Sequence, residues 1–300
     1  MQFEIWGLSG SLTTERDDQM TEALAHLQRR LGDVDNACNR FRPESEISLL
    51  NATHDVDVPV SDTLALALTS ALRASEATQG LCDPTVLPAL LALGYDRDYD
   101  ELKVVTSIAA QAPVVPLGTS AIHFNPARQV VALDAGCQLD LGASAKALLV
   151  DLVADDVAAS GGVVVELGGD VAVRGVGPQG PWAIAVSDSL QITGHEPRIS
   201  LRHGGVATSS TTTRTWRVGD RVVNHVIDPR TGSYAHGPYA TASVTASDCV
   251  LANAFATAAL LWGDDAGYHV AQAGWAARFV RTDGTVEFVG GWPNEAAAAS

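Results

Sequence analysis

The chain reads as an α+β protein, and three features of its sequence lead to that class. Strand-like segments occur in runs joined by tight-turn dipeptides, Gly219-Asp220 and Asp283-Gly284 among them, which is how antiparallel neighbours connect. Segments of helical period are grouped around those runs instead of alternating one for one with strands, which disfavours a doubly wound parallel sheet. Finally, 300 residues with 46% hydrophobic content suffice to bury a sizeable core.

Taken in order, Phe3 to Gly7 alternates like a strand. Asp17 to Cys38 carries Met20, Leu24, Leu27, Leu31 and Val34 at helical spacing, with acids near its start that suit the helix dipole. Ser61 is placed as the N-cap of a helix over 62–77 that Gly80 ends. A third helix is expected from Ser144 to Ala159, and Val163 to Leu167 and Val171 to Arg174 read as strands around Gly168-Gly169-Asp170. Further strands are expected at Trp182 to Val186, Arg198 to Leu201, Thr215 to Val218, Arg221 to Asn224 and Ala242 to Ala246. Helices follow at Leu251 to Trp262 and 265–273, then a hairpin of Ala276 to Val280 with Thr285 to Val289. There is no internal repeat and no linker long enough to force a boundary, so one large domain over 1–294 is expected, with a disordered tail at 295–300.

Composition limits the partners. Nineteen Lys and Arg against 35 Asp and Glu leave a net charge of −16, which opposes binding to nucleic acid or anionic lipid through phosphate contacts. A small molecule or another protein is the expected partner. No stretch is apolar for the roughly 18 residues of a membrane span, and Met1-Gln-Phe-Glu-Ile-Trp6 lacks the basic and apolar regions of a signal peptide. A cytoplasmic location is expected. Cys38, Cys82, Cys137 and Cys249 are scattered with no C-x-x-C pair, so free thiols are expected rather than a zinc site or a disulfide framework.

The most informative stretch is His225-Val-Ile-Asp228-Pro229-Arg230-Thr231-Gly232, which sets an imidazole, a carboxylate and a guanidinium on a turn stiffened by proline. Imidazole suits proton transfer near neutrality, and arginine grips carboxylate or phosphate oxygens in pairs. A rigid turn with a solvated arginine is the plain alternative. Asp140-Leu-Gly142-Ala143-Ser144-Ala145-Lys146 leads a carboxylate through small residues into a helix start, where backbone amides can face an anion. Lys146 is one of only two lysines beside 17 arginines, and its ammonium suits a phosphate oxygen; an exposed helix lysine is the alternative. Thr208, Ser209 and Ser210 add hydroxyls and Arg214 a cation, though taken alone such residues are usually strand-edge polar positions. Asn253 and Thr257 place two oxygen ligands one helical turn apart, a donor type that hard cations such as Mg²⁺ accept; a buried polar pair satisfied within the helix is the alternative. The literal G-x-G-x-x-G at Gly175-Val-Gly177-Pro-Gln-Gly180 is followed by Pro181 and a strand-like segment where a dinucleotide site needs a helix, so it reads as a glycine-rich hairpin.

Seven segments, in order, resemble the ApbE family, the FAD:protein FMN transferases. They are Asn39 to Asn51, Gly80-Leu-Cys-Asp83-Pro84-Thr85, Asp140 to Lys146 with Asp151, Leu167-Gly-Gly-Asp170, Ala207-Thr208-Ser209 with Arg214, His225 to Gly232, and Ser243-Val-Thr245 before the Asn253 to Thr257 helix. The resemblance implies a single α+β fold with a central FAD cleft. It implies Mg²⁺-dependent splitting of the FAD pyrophosphate, attachment of FMN to a Thr or Ser of an acceptor flavoprotein, and release of AMP. Water in the acceptor's place would give an FAD pyrophosphatase, and loss of the metal a non-catalytic FAD-binding protein. Carried over position by position, the resemblance has Asn51, Asp83, Asp140 and Lys146 contacting FAD, with Cys82, Thr208, Ser209, Arg214 and Asp228 completing the binding set. The Ala143 carbonyl and the side chains of Asn253 and Thr257 would hold the metal, and His225 would take the acceptor's proton. The family usually has Asp where this chain has Asn253, which removes a negative charge from the metal set; Asp248, in the preceding turn, either restores it or caps the helix.

Overall fold

A computed structural model describes residues 1–188, 194 and 196–292. The expected tail at 295–300 lies outside the described residues. The chain forms two compact units: the first is built from Met1–Arg30, Lys146–Thr213 and the segment from Gly237, the second from Leu31–Ala145 and Arg214–His236.

The first unit is organised on an eight-stranded sheet in the order Gln2–Ile5, Leu8–Thr14, Val163–Leu167, Asp170–Arg174, His203–Ser210, Tyr239–Ala246, Ala277–Arg281 and Val286–Val289. Every neighbouring pair is antiparallel, as the turn dipeptides imply. Alternation along the strands sorts side chains to two faces. Val164, Val171, Val173 and Val206 join Ile184, Ile199 and Trp292 in one core cluster, while Ala207, Ala246 and Ala252 form another with the Cys249–Trp262 helix. That helix packs on the His203–Ser210 and Tyr239–Ala246 strands. Its close approach requires Gly205, where a Cβ would fall 2.5 Å from the Cys249 backbone. Two acids fix the helix N-terminus. Asp248 accepts from the Leu251 amide at 2.9 Å, and Asp151 accepts from the Cys249 and Val250 amides at 3.1 Å each. Asp248 is therefore the helix cap.

The second unit combines the Glu46–Asn51, Asp62–Ala77, Leu87–Ala92 and Tyr99–Leu102 helices with a small three-stranded sheet and two hairpins. Ser61 caps the Asp62–Ala77 helix through the Leu64 amide, as expected. The Thr215–Val218 and Arg221–Asn224 hairpin matches the expected bounds, and its Trp216, Val218 and Val223 pack with Ala89, Leu90, Tyr95, Leu102 and Ile227. The Met20–Cys38 helix crosses from the first unit's segment to the second's at Arg30.

The glycine-rich decoy folds as read. Gly177 and Gly180 exchange backbone hydrogen bonds at 2.7 and 3.1 Å, and the Trp182–Ala185 strand follows, with no helix to receive a pyrophosphate. All four cysteines are free and buried. No described helix is long and apolar enough to cross a membrane.

Candidate active site

In the first unit, four of the five predicted site residues, Lys146, Ser209, Asn253 and Thr257, gather on the face of the sheet that the Cys249–Trp262 helix covers and at its margin. Asp170 opens its strand directly opposite Ala207, so the two share a face, and Ser209 lies two residues along on that same face. Two strand residues advance about 6.8 Å and four helix residues about 6 Å, so Asn253 and Thr257 keep step with Asp170 and Ser209. The contacts follow that register. Asn253 Nδ2 donates to Asp170 Oδ1 at 2.7 Å, and the Ser209 and Thr257 hydroxyls lie 3.0 Å apart. The small Ala207 leaves room for the buried Asp170 and Asn253 pair. Thr208, on the other face, shares a 2.8 Å hydrogen bond with Ser243.

Lys146 Nζ, half-buried near the start of the Ala145–Ala158 helix, stands 3.9 Å from Asp170 Oδ2. A carboxylate only accepts, so the amide nitrogen of Asn253 must face Asp170 and its oxygen must point elsewhere. That oxygen is buried and accepts no hydrogen bond. Among the described residues no three His, Cys, Asp or Glu side chains converge as a metal group. A cation here would instead rely on amide and hydroxyl oxygens with a carboxylate beside them, and the vacant Asn253 oxygen fits that hard-donor set.

In the second unit, the predicted residues serve mainly to shape loops. Asn51 is buried and exchanges both amide functions with the Leu139 backbone, at 2.9 and 2.7 Å. It therefore pins the residue before Asp140, a role that its assignment as an FAD contact did not anticipate. Asp140 accepts from Arg40 Nε on one oxygen and from the Gly142 amide, 2.7 Å away, on the other. Ala143 is exposed in the turn that follows. Asp83 Oδ1 accepts the amide and hydroxyl of Thr85 at 2.7 and 2.8 Å, and the Thr85 hydroxyl accepts the Gly118 amide. Burial pushes the Asp83 carboxyl above its ordinary range against those donors. Burial likewise holds the Cys82 thiol neutral, pushed up to about 12, so no thiolate is available there.

The His225 turn is held from both sides. Asn224, itself buried, donates to the Ala235 carbonyl and accepts from the Val226 amide, closing the base of the turn on either side of the half-buried His225. Asp228 takes Arg230 in a two-point contact at 2.8 Å each, and its carbonyl accepts the Gly232 amide. Although burial pushes the Asp228 carboxyl up, Arg230 outweighs it and holds the group below its ordinary range. Gly232 sits at φ +70°, where a Cβ would collide with the Val114 carbonyl. Arg214 lies near the Tyr99 ring, 5.8 Å from its centre.

Three contributors were not singled out from sequence. Arg40, with its guanidinium 4.1 Å from the Phe41 ring centre and 4.8 Å from that of Tyr95, is the partner of Asp140. Asp170 and Ser243 are the partners of Asn253 and Thr208. Arg40, Asp170 and Ser243 all fall inside quoted motifs, but nothing in one sequence pairs a residue with a partner on a distant strand.

The ApbE family pattern matches residues 6–279. A Haemophilus influenzae protein named FAD:protein FMN transferase is 26% identical over 284 residues, 90% of this chain and 80% of that protein. A protein of the same name from Vibrio cholerae is 26% identical over 254 residues, 82% of this chain and 75% of that protein. Among solved structures, the ApbE protein of Thermotoga maritima superposes with a TM-score of 0.81 at 21% identity, covering 96% of each chain. The apo form of the Pseudomonas stutzeri flavinyl transferase ApbE gives 0.78 at 21% identity, over 96% of this chain and 92% of that one. With its motifs in order along nearly the whole length, this chain belongs to the ApbE family.

Proposed function

We propose that the protein transfers FMN from FAD to a Thr or Ser hydroxyl of an acceptor flavoprotein, with Mg²⁺, and releases AMP. The observation that carries this reading is the oxygen-rich cluster of Asp170, Asn253, Thr257 and Ser209 with the Lys146 ammonium at its edge. In a chain of net charge −16, such a cluster is where a pyrophosphate and its counter-ion can be held against the overall field.

The residues divide the work by chemistry. His225, as a neutral imidazole, accepts the proton of the acceptor hydroxyl, whose oxygen forms the new bond to the phosphorus of the FMN half. The bond from that phosphorus to the bridging oxygen breaks, and the oxygen leaves with AMP. Lys146 stabilises charge on the phosphate oxygens as the bond breaks. Asn253, Thr257 and the Ala143 carbonyl would hold Mg²⁺, which supplies charge neutralisation and polarisation of the phosphates when bound. Asp140, with Asp83, Asn51 and the segment around Cys82, shapes the loops that receive FAD. Thr208, Arg214 and Asp228 complete the binding set.

The test is to incubate the protein with FAD, MgCl₂ and an acceptor flavoprotein, following acceptor mass and nucleotide products. Covalent addition of FMN with equimolar AMP supports transfer. Free FMN with AMP and an unmodified acceptor would replace this reading with hydrolysis, and FAD bound without AMP release would leave a binding protein.

A further inference from the structure

We infer that Asp170 is the anionic residue of the divalent-cation site, orienting the Asn253 amide and supplying the negative charge that the neutral ligands lack. The inference deepens the Mg²⁺-dependent reading above and rests on it.

An amide oxygen and a hydroxyl are hard donors, but both are neutral. Mg²⁺ gives up its water reluctantly and is usually bound through one or two carboxylates. The carboxylate bonded to the Asn253 amide is Asp170, at 2.7 Å and only 2% exposed. This contact does two things. It fixes which end of the amide faces Asp170, which turns the buried, unbonded Asn253 oxygen away as a ligand. It also sets a buried negative charge directly behind that ligand, where a low effective dielectric strengthens its pull on a cation.

The surroundings suit exchange of one cation for another. Lys146 Nζ lies 3.9 Å from Asp170 Oδ2, beyond hydrogen-bonding distance for that pair of atoms. An ammonium there offsets part of the charge on Asp170 before a metal arrives, and can turn to a phosphate oxygen afterwards. Glu166, whose carboxyl accepts the Gly169 amide at 3.1 Å and is pushed up by burial, pairs with Val171 and so lies on the other face of the sheet from Asp170. The Ser209 hydroxyl, 3.0 Å from that of Thr257, orients the second neutral ligand as Asp170 orients the first.

Exchanging the two side chains separates charge from scaffold. Asp170→Asn keeps an acceptor for the Asn253 amide but removes the charge. The double exchange Asp170→Asn with Asn253→Asp keeps one amide and one carboxylate in contact and moves the charge to the helix. Binding of MnCl₂ is measured by electron paramagnetic resonance of free Mn²⁺, with and without FAD, alongside thermal unfolding in a chelator.

Asp170→Asn is expected to weaken Mn²⁺ binding by about 10–100-fold, the usual cost of losing a ligand-orienting group. The double exchange is expected to recover most of it. Unchanged Mn²⁺ affinity in Asp170→Asn would overturn the inference, as would absence of Mn²⁺ binding in the unsubstituted protein. If Asp170→Asn fails to fold, the double exchange decides: a folded protein without Mn²⁺ binding overturns the inference. Should Mn²⁺ binding behave as expected while neither flavinylated acceptor nor AMP forms, the transfer reading fails and this one stands. Transfer with an unchanged Mn²⁺ titration in Asp170→Asn is the opposite result.

Discussion

Asp140 and Asp228 in the second unit, and Asp170 in the first, are all aspartates in short glycine-bearing motifs, but their surroundings differ in kind. Each of the first two is in hydrogen-bond contact with a guanidinium, Arg40 in one case and Arg230 in the other. Asp170 instead meets an amide, with an ammonium farther off. Guanidinium pairing ties a carboxylate to a fixed shape and cancels its charge locally. An amide fixes the shape without cancelling the charge. The two aspartates of the second unit are therefore suited to holding loops in position, and Asp170 to acting on something positive that comes and goes.

The largest effect expected from this contrast is at His225, on the scaffolded turn whose base Asn224 closes. His225→Ala should lower the rate of FMN transfer by about 10²–10⁴-fold, the range for loss of a general base, while FAD binding and unfolding midpoint stay near those of the parent. Equal losses of FAD binding and of transfer would make it a structural residue and blur the distinction drawn here.

Next comes the scaffold itself. The side chains of Arg40 and Asp140 are 8% and 13% exposed, so Arg40→Ala strands a largely buried charge as well as emptying the space against Phe41 and Tyr95. Breaking such a pair costs about 3–5 kcal/mol, to be read from urea unfolding. A loss of Mn²⁺ binding without a loss of stability would reverse the roles assigned to the two kinds of aspartate.

The smallest effect concerns Asp151, a first-unit carboxylate that has a guanidinium and also two helix amides. Burial outweighs those amides and Arg174, and pushes its carboxyl up from 3.8 to about 6. The folded protein thus binds this proton more tightly than the unfolded chain does. The resulting stabilisation is complete below the unfolded value and is lost as pH rises through about 6, at up to ~1.4 kcal/mol per pH unit. Asp151→Asn should flatten that part of the stability profile, followed by urea unfolding from about pH 4 to about pH 7. An unaltered slope would assign the pH dependence to another group.

Local signals carried much of the fold. The Asp62–Ala77 helix, the Val163–Leu167 strand and the Thr215–Val218 hairpin arm were readable because caps, turns and apolar periodicity lie within a few residues of one another. The His203–Ser210 strand was not, although it lies inside the eight-stranded sheet. Its Gly204-Gly205 start and Thr208-Ser209-Ser210 end lack alternating apolar residues, and its place is set by pairing with the Asp170–Arg174 and Tyr239–Ala246 strands. Leu8–Thr14 was missed for the same reason, its small and hydroxylated residues being buried by neighbours instead of by their own hydrophobicity. The short Glu46–Asn51 and Leu87–Ala92 helices are too brief for a period to register.

The site was legible to a different depth. Asn253 and Thr257 were found by helical spacing and His225 by its turn, because both are local patterns. The partnership of Asp170 with Asn253 depends on strand register and helix packing, which only three dimensions supply. Asn51 enters as an FAD contact through the family resemblance alone, and its hydrogen bonds to the Leu139 backbone, 88 residues on, depend on the fold.

The distribution of thiols opens an experimental route. Cys249 belongs to the first unit, and Cys38, Cys82 and Cys137 to the second. Burial raises the ionisation point of every one, to about 12 for Cys38 and Cys82 and about 11 for Cys137, so alkylating reagents should find them sluggish until the surrounding structure opens. Time courses of labelling, resolved by peptide mass, would then report separately how often each half of the molecule breathes.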